Sequence, residues 1–292
     1  MKLAARMSRY YKQGNFFSEF ASVCAEAGYD AVDCPTMNSE IEAECRKRQL
    51  GIGSVDVDVV GLQDPDEAKR NAALITAKAA VGAIAEAGGR VAFVVIAPPD
   101  KSTPRAKSFA IWKETWPDFV AHCETVGVRV AIEPWPGPAP VFPNLGTTPE
   151  MLRAMFAAVP SPALSLCYDP SHFARLQVDY LRVLEEFAPR IAHVHLKDTE
   201  FIAEGLYKYG ILGPSFEPPG HVFGGGFWRY ALVGDGIVDW TKVLRRLADH
   251  GYDGLLSVEL EDDYYAPTPD LAQLAFRTAL ERMRALGVRT LS

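Results

Sequence analysis

Short apolar runs and longer amphipathic runs alternate eight times along this chain, and that rhythm narrows the possible folds more than any other feature of the sequence. The strand-like runs are KLAARM (2–7), YDAVDCP (29–35), IGSVDVD (52–58), RVAFVVIA (90–97), RVAIEP (129–134), LSLCYDP (164–170), IAHVHLKD (191–198) and GLLSVELED (254–262). Helical patterns fill the gaps at 16–28, 39–49, 66–87, 106–126, 149–159, 171–187, 240–250 and 268–286. A helix between successive strands makes them parallel, because a parallel partner needs a long crossover. Eight such units close the sheet, which predicts a single-domain (β/α)8 TIM barrel over residues 1–292. The alternative, an open doubly wound sheet, would often carry a GxGxxG turn after its first strand, and none is present.

Local punctuation agrees with the rhythm. Gly28, Gly88, Gly127 and Gly251 follow helical runs, where a glycine can take the left-handed conformation that ends a helix. TTPEM supplies a threonine cap with a proline in the first turn. One connection breaks the pattern. Residues 199–239, rich in Gly, Pro and aromatics, predict a long loop after strand 7, and loops on that face of a barrel carry chemistry.

A net charge of −7 opposes nucleic acid as a partner, since phosphate binding wants a basic surface. The most apolar stretch, AALITAKAAVGAIAEAGG, is broken by Lys78 and Glu86 and reads as a buried helix, so no membrane partner is expected. MKLAARMSRYYKQG carries charge throughout and does not read as a secretory leader. Five scattered cysteines without a CxxC pair read as reduced thiols, and together these features lead us to expect a cytoplasmic protein.

Polar residues gather at the strand ends. Glu133 closes strand 5, Asp169 closes strand 6 with His172 just beyond it, His193 and His195 lie in strand 7, and Glu259 closes strand 8. In a closed barrel these ends meet at one mouth. Three carboxylates brought together in a partly buried pocket need a counter-charge, and a divalent cation supplies it. Glu133, Asp169, His195 and Glu259 offer an O,O,N,O donor set for one divalent ion, with Mn²⁺ the first expectation and Mg²⁺, Co²⁺ or Zn²⁺ the alternatives. The period of two places His193, His195 and Lys197 on one side of strand 7, where His193 can support the ligand and Lys197 can hold a substrate oxygen; Asp198 points away.

IEPWP, YDPSHF, HVHLKD and the closing GDGIVDWTKVLRRLADHGYDGLLSVELED together resemble the sugar phosphate isomerase/epimerase group of the xylose isomerase-like barrel superfamily. The resemblance implies one divalent metal on Glu133, Asp169, His195 and Glu259, with the two glutamates also acting as the acid/base pair. It further implies that His172 contacts substrate oxygens. The arginine that other members place shortly after the strand-7 histidine is absent, and the long aromatic loop stands in its place. Trp135, His221, Trp228 and Arg229 are therefore candidates for the substrate wall.

These groups suit proton abstraction beside a carbonyl in a keto-sugar or related polyol. Return of the proton gives isomerisation or epimerisation, the expected activity. Loss of a β-oxygen from a 3-keto-glycoside or inosose would make the same site a dehydratase or lyase. Two further readings are a non-catalytic sugar-binding barrel and an AP endonuclease-type hydrolase. The hydrolase would need histidines on the early strands, yet His122, within a helical pattern, is the only histidine of the first half. The expected partner is a small sugar or keto-sugar, with a homo-oligomer as the expected assembly.

Overall fold

In the computed structural model, residues 1–7, 16–265 and 267–288 are described; the second half of the charged N-terminal stretch falls outside them. The strands and helices follow one another as β1 (Lys2–Arg6), α1 (Phe17–Ala27), β2 (Ala31–Cys34), α2 (Ser39–Lys47), β3 (Gly51–Asp56), α3 (Glu67–Glu86), β4 (Val91–Val94), α4 (Arg105–Thr125), β5 (Arg129–Ile132), α5 (Pro149–Ala158) and β6 (Leu164–Tyr168). The second half runs α6 (Pro170–Arg175), α7 (Tyr180–Phe187), β7 (Ile191–Phe201), α8 (Ala203–Tyr209), β8 (Trp228–Leu232), α9 (Trp240–Asp249), β9 (Leu255–Glu259) and α10 (Pro269–Ala285).

β1 to β6 pair in sequence order, β6 pairs with β7, β7 with β9, and β9 returns to β1, so eight strands close a parallel barrel. This is the TIM barrel that the alternation predicts. Leucine, valine and phenylalanine side chains from strands and helices merge into one buried core around it. The glycines expected to end helices do so: Gly28, Gly88, Gly127 and Gly251 have φ of 88°, 83°, 72° and 73°. Thr148 caps α5 by accepting from the Met151 amide, and Pro149 fills the first helical position.

Two expectations are corrected. The run 171–187 is two helices, α6 and α7, because Gln177 takes a left-handed conformation (φ 57°) and Asp179 starts a new helix by capping Arg182. The segment 199–239 is not one long loop. β7 continues to Phe201 and pairs antiparallel with β8, Thr199 opposite Tyr230, and α8 lies between them. The aromatic, β-favouring run WRYAL accounts for the extra strand. Asp198 pins the hairpin. Its carboxylate accepts from the amides of Thr199, Gly234 and Val238 and from Trp240 Nε1, at 2.8–3.1 Å. Gly236 is required beside it, since a Cβ there would lie 2.2 Å from Asp198 Oδ1.

Candidate active site and metal centre

Parallel register brings the strand ends level. Glu133 follows β5, Asp169 follows β6, His195 lies in β7 and Glu259 ends β9; Asp169 and His195 are fully buried, and Glu133 and Glu259 are 6% and 9% exposed. His195 Nδ1 stands 3.1 Å from Glu133 Oε1, 3.0 Å from Glu259 Oε2 and 3.8 Å from Asp169 Oδ2. His172, from the first turn of α6, sets Nε2 at 3.3 Å from Glu133 Oε1 and 3.4 Å from Asp169 Oδ2. Ligand atoms of Glu133, Asp169, His172 and Glu259 all fall within 4.8 Å of one another. The strand-end residues singled out in the sequence therefore converge.

Lys197 joins them. Its Nζ, 1% exposed, lies 2.6 Å from Glu259 Oε2, 3.1 Å from Glu261 Oε2 and 3.2 Å from Asp169 Oδ2. Burial alone would discharge this lysine, but Asp169, Glu259 and Glu261 hold its pKa well above the ordinary value. Burial likewise works against each carboxylate. Lys197 and His195 nonetheless keep Glu259 far below the usual range, and His172 and His195 do the same for Glu133 despite repulsion from Glu259. Asp169 is held down by Lys197 and His172 against its burial. All three stay ionised at neutral pH.

Sequence reasoning missed the second tier. Arg6, ending β1, places Nε 3.1 Å from Glu259 Oε1 and grips Asp56 with its other nitrogens at 2.8 and 3.0 Å. Asp33, buried inside β2, accepts from the Ser54 amide (2.7 Å) and Ser257 Oγ (2.7 Å), sits 3.1 Å from His193 Nε2 and stands 3.8 Å from His195 Nε2. His193 thus belongs to a support layer beneath His195. Gly53 makes room for it, because a Cβ there would lie 2.3 Å from Asp33 Oδ1. The signal was present: YDAVDCP puts a charged residue in the middle of a strand whose neighbours are buried.

The proposed substrate wall is not drawn into this cluster. Arg229 pairs with Glu200 at 2.7 Å and Asp262 at 3.0 Å, Trp228 stacks on Arg175 with the guanidinium 4.1 Å from its ring centre, and His221 pairs with Asp263 at 3.2 Å. Trp135 is half-buried, and its carbonyl accepts from Asn144. From β8 it is Tyr230 that reaches the site, its hydroxyl 2.6 Å from His172 Nδ1 and 2.6 Å from Arg175 Nη1.

The residues fit a divalent ion. The three buried carboxylates face two full cations, Lys197 and Arg6, and these are shared with Glu261 and Asp56, so negative charge remains in excess, and the buried Asp169 Oδ2 accepts no hydrogen bond. An oxygen-rich set with one imidazole matches a hard or borderline cation. Among the described residues no helix is long and apolar enough to cross a membrane.

A family profile described as xylose isomerase-like TIM barrel matches residues 21–290. An inosose dehydratase from Bacillus licheniformis is 33% identical over 132 residues, 44% of this chain and 40% of the relative, so the match spans well under half of that protein. Among solved structures, D-psicose 3-epimerase with D-tagatose from Clostridium cellulolyticum H10 superposes with a TM-score of 0.71 at 13% identity, covering 99% of this chain and 100% of that one. The IolI protein with a bound zinc atom superposes at 0.68 with 18% identity, covering 98% of each chain. At such identities the structural likeness concerns the fold.

Proposed function

The chain belongs to the xylose isomerase-like TIM barrel family, and on that premise we propose that it is a divalent-metal-dependent dehydratase of a polyhydroxy ketone. The reaction removes a proton from the carbon beside the carbonyl and expels a β-hydroxyl as water. Expectation from sequence placed isomerisation or epimerisation first; both outcomes share the proton abstraction and differ in the fate of the enolate it leaves.

The observation that favours elimination is an uncommitted carboxylate oxygen and an ammonium in one site. The described contacts of Glu133 all fall on Oε1, to His172 and His195, which leaves Oε2 to meet substrate. Glu259 is held at both oxygens, Oε1 by Arg6 and Oε2 by Lys197 and His195. We assign Glu133 as the base and Lys197 as the donor that delivers a proton to the departing hydroxyl. The C–H electron pair becomes the new double bond, the C–O pair leaves with the hydroxyl, and the Lys197 proton completes the water molecule. Glu259 and His172 orient the ketone.

A carboxylate held as low as Glu133 is a weak base, so the C–H must be made more acidic. A divalent ion on Glu133, Asp169, His195 and Glu259 would supply that by polarising the carbonyl as a Lewis acid. The relatives named inosose dehydratase support a cyclic polyhydroxy ketone as substrate.

Epimerisation is the second reading, because Glu133 and Glu259 together provide two carboxylates that could serve a proton on either face of one carbon. Product analysis separates the two. Incubation with an inosose and Mn²⁺ is expected to give a dehydrated product; an isomer of unchanged mass would favour epimerisation instead, and no reaction with any ketone in the presence of metal would remove both.

A further inference from the structure

α8 and the turn after it face the wrong way for a surface element. The helix packs on the hairpin through Gly205, where a Cβ would lie 2.0 Å from the Gly226 carbonyl oxygen, and Tyr209, one turn on, is half-buried. Its large apolar side chains are left outside: Tyr207 is 87% exposed, and Ile211 and Leu212 in the turn that follows are 68% and 85% exposed. A surface helix ordinarily buries its apolar face and shows its polar one. We propose that this face is the contact between two copies of the chain, packed about a twofold axis.

The exposed side chains form one patch. Lys208 Nζ and Tyr209 Oη both donate to Glu217 Oε1, which draws the segment before it back against α8 and sets the fully exposed Phe216 beside the helix. Its size suits the role. An interface of standard size buries about 800 Å² on each partner, roughly 60% of it apolar, which asks for about 500 Å² of apolar surface. A fully exposed aromatic side chain presents about 150–250 Å² and an aliphatic one about 100 Å². At their observed exposures Tyr207, Ile211, Leu212 and Phe216 together supply about 500 Å² from this one segment.

Charge points to the same occupant. Each copy carries a net charge of −7, so two copies repel over most of their surface. Residues 205–216 hold a single charged side chain, Lys208, and Glu217 neutralises it within the same chain. Here alike copies can meet without opposing like charges. A nucleic acid or an anionic lipid surface would call for basic residues not already paired, and between Gly205 and Phe216 the sequence offers none. A patch that is apolar and neutral throughout is complementary to itself, which is what a twofold contact requires and what most soluble assemblies use. The homo-oligomer expected from the sequence thus acquires a surface, and the inference is independent of which reaction the barrel performs.

The test is sedimentation velocity of the full-length protein over a micromolar dilution series, for the wild type and three variants. Wild-type protein should sediment as a dimer, at twice the 32.0 kDa of one chain. Leu212→Glu and Phe216→Glu each place two unpaired carboxylates in a twofold interface and should raise the dimer dissociation constant by about 100-fold or more. Both positions are solvent-facing in one chain, so neither change should disturb the fold, which circular dichroism checks. Ile75→Glu, at a residue of α3 that is equally exposed and outside the patch, should leave the dimer intact. A monomeric wild type throughout the series overturns the proposal, as does a dimer that survives both Leu212→Glu and Phe216→Glu or one that only Ile75→Glu dissolves.

Discussion

Asp33 and Lys197 illustrate how differently two buried charges in one barrel can act. Asp33 accepts from the Ser54 amide and Ser257 Oγ, sits 3.1 Å from His193 Nε2 and stands 3.8 Å behind His195. Asp33→Asn removes the negative charge 3.8 Å behind His195 and beside His193, and should weaken Mn²⁺ binding by about 10–100-fold, measured by calorimetry, the range seen when support behind a ligand histidine is lost. Lys197 faces the carboxylates directly. Lys197→Met should slow dehydration by about 10²-fold or more, the range of a lost general acid, while the variant still exchanges the substrate C–H with solvent. Loss of both reactions together would mean that Lys197 is needed before the proton transfer. At this scale the sequence was informative wherever a polar residue closed a predicted strand: Glu133, Asp169, His195 and Glu259 all converge. It was silent where function depends on which nitrogen or oxygen faces which neighbour. Arg6 and Tyr230 could not be read because their partners lie 253 and 58 positions away along the chain, and only the closed register brings them together.

The hairpin of β7 and β8 is the element that departs from the simple plan. Its strands carry Thr199 and Tyr230 opposite each other, and Asp198 fastens its far end through four donors. Asp198→Ala would leave those buried donors unpaired, and we expect a loss of about 3 kcal/mol or more in unfolding free energy by chemical denaturation. A change within a few tenths would show that water replaces the carboxylate and that the hairpin is held by other contacts, such as Arg229 to Asp262. The eight barrel strands were legible because each is apolar and bounded by turns. The ninth was hidden within a Gly- and Pro-rich stretch, since five residues of WRYAL give too short a pattern to separate from loop. The break between α6 and α7 was hidden for a similar reason: it rests on the left-handed backbone at Gln177, which the residue type does not announce.

For the molecule as a whole, the buried charges link stability to pH. The folded-state pKa values of Asp33, Glu133, Asp169 and Glu259 lie below ordinary carboxylate values, because facing cations and imidazoles outweigh burial. Their contribution is therefore complete above the unfolded carboxylate pKa and is lost as pH falls toward the folded values. Lys197 is shifted upward, so its contribution is present below the ordinary lysine pKa and is lost only at strongly alkaline pH. The metal-free protein should accordingly show a thermal midpoint that declines steadily below about pH 5; a midpoint flat to pH 3 would mean that the cluster is not ionised in the folded state. The barrel itself was readable from alternation alone, because closure follows from the number of βα units and not from any one residue. The reaction was not, since elimination and epimerisation begin with the same step. That step is the central claim, and deuterium exchange tests it most directly. Wild-type protein with Mn²⁺ and an inosose in D₂O should place deuterium beside the carbonyl or in the product. EDTA should abolish the exchange, and Glu133→Gln, with its metal content measured, should slow it by about 10²–10⁴-fold. Turnover without metal, or undiminished exchange in Glu133→Gln, would contradict the account.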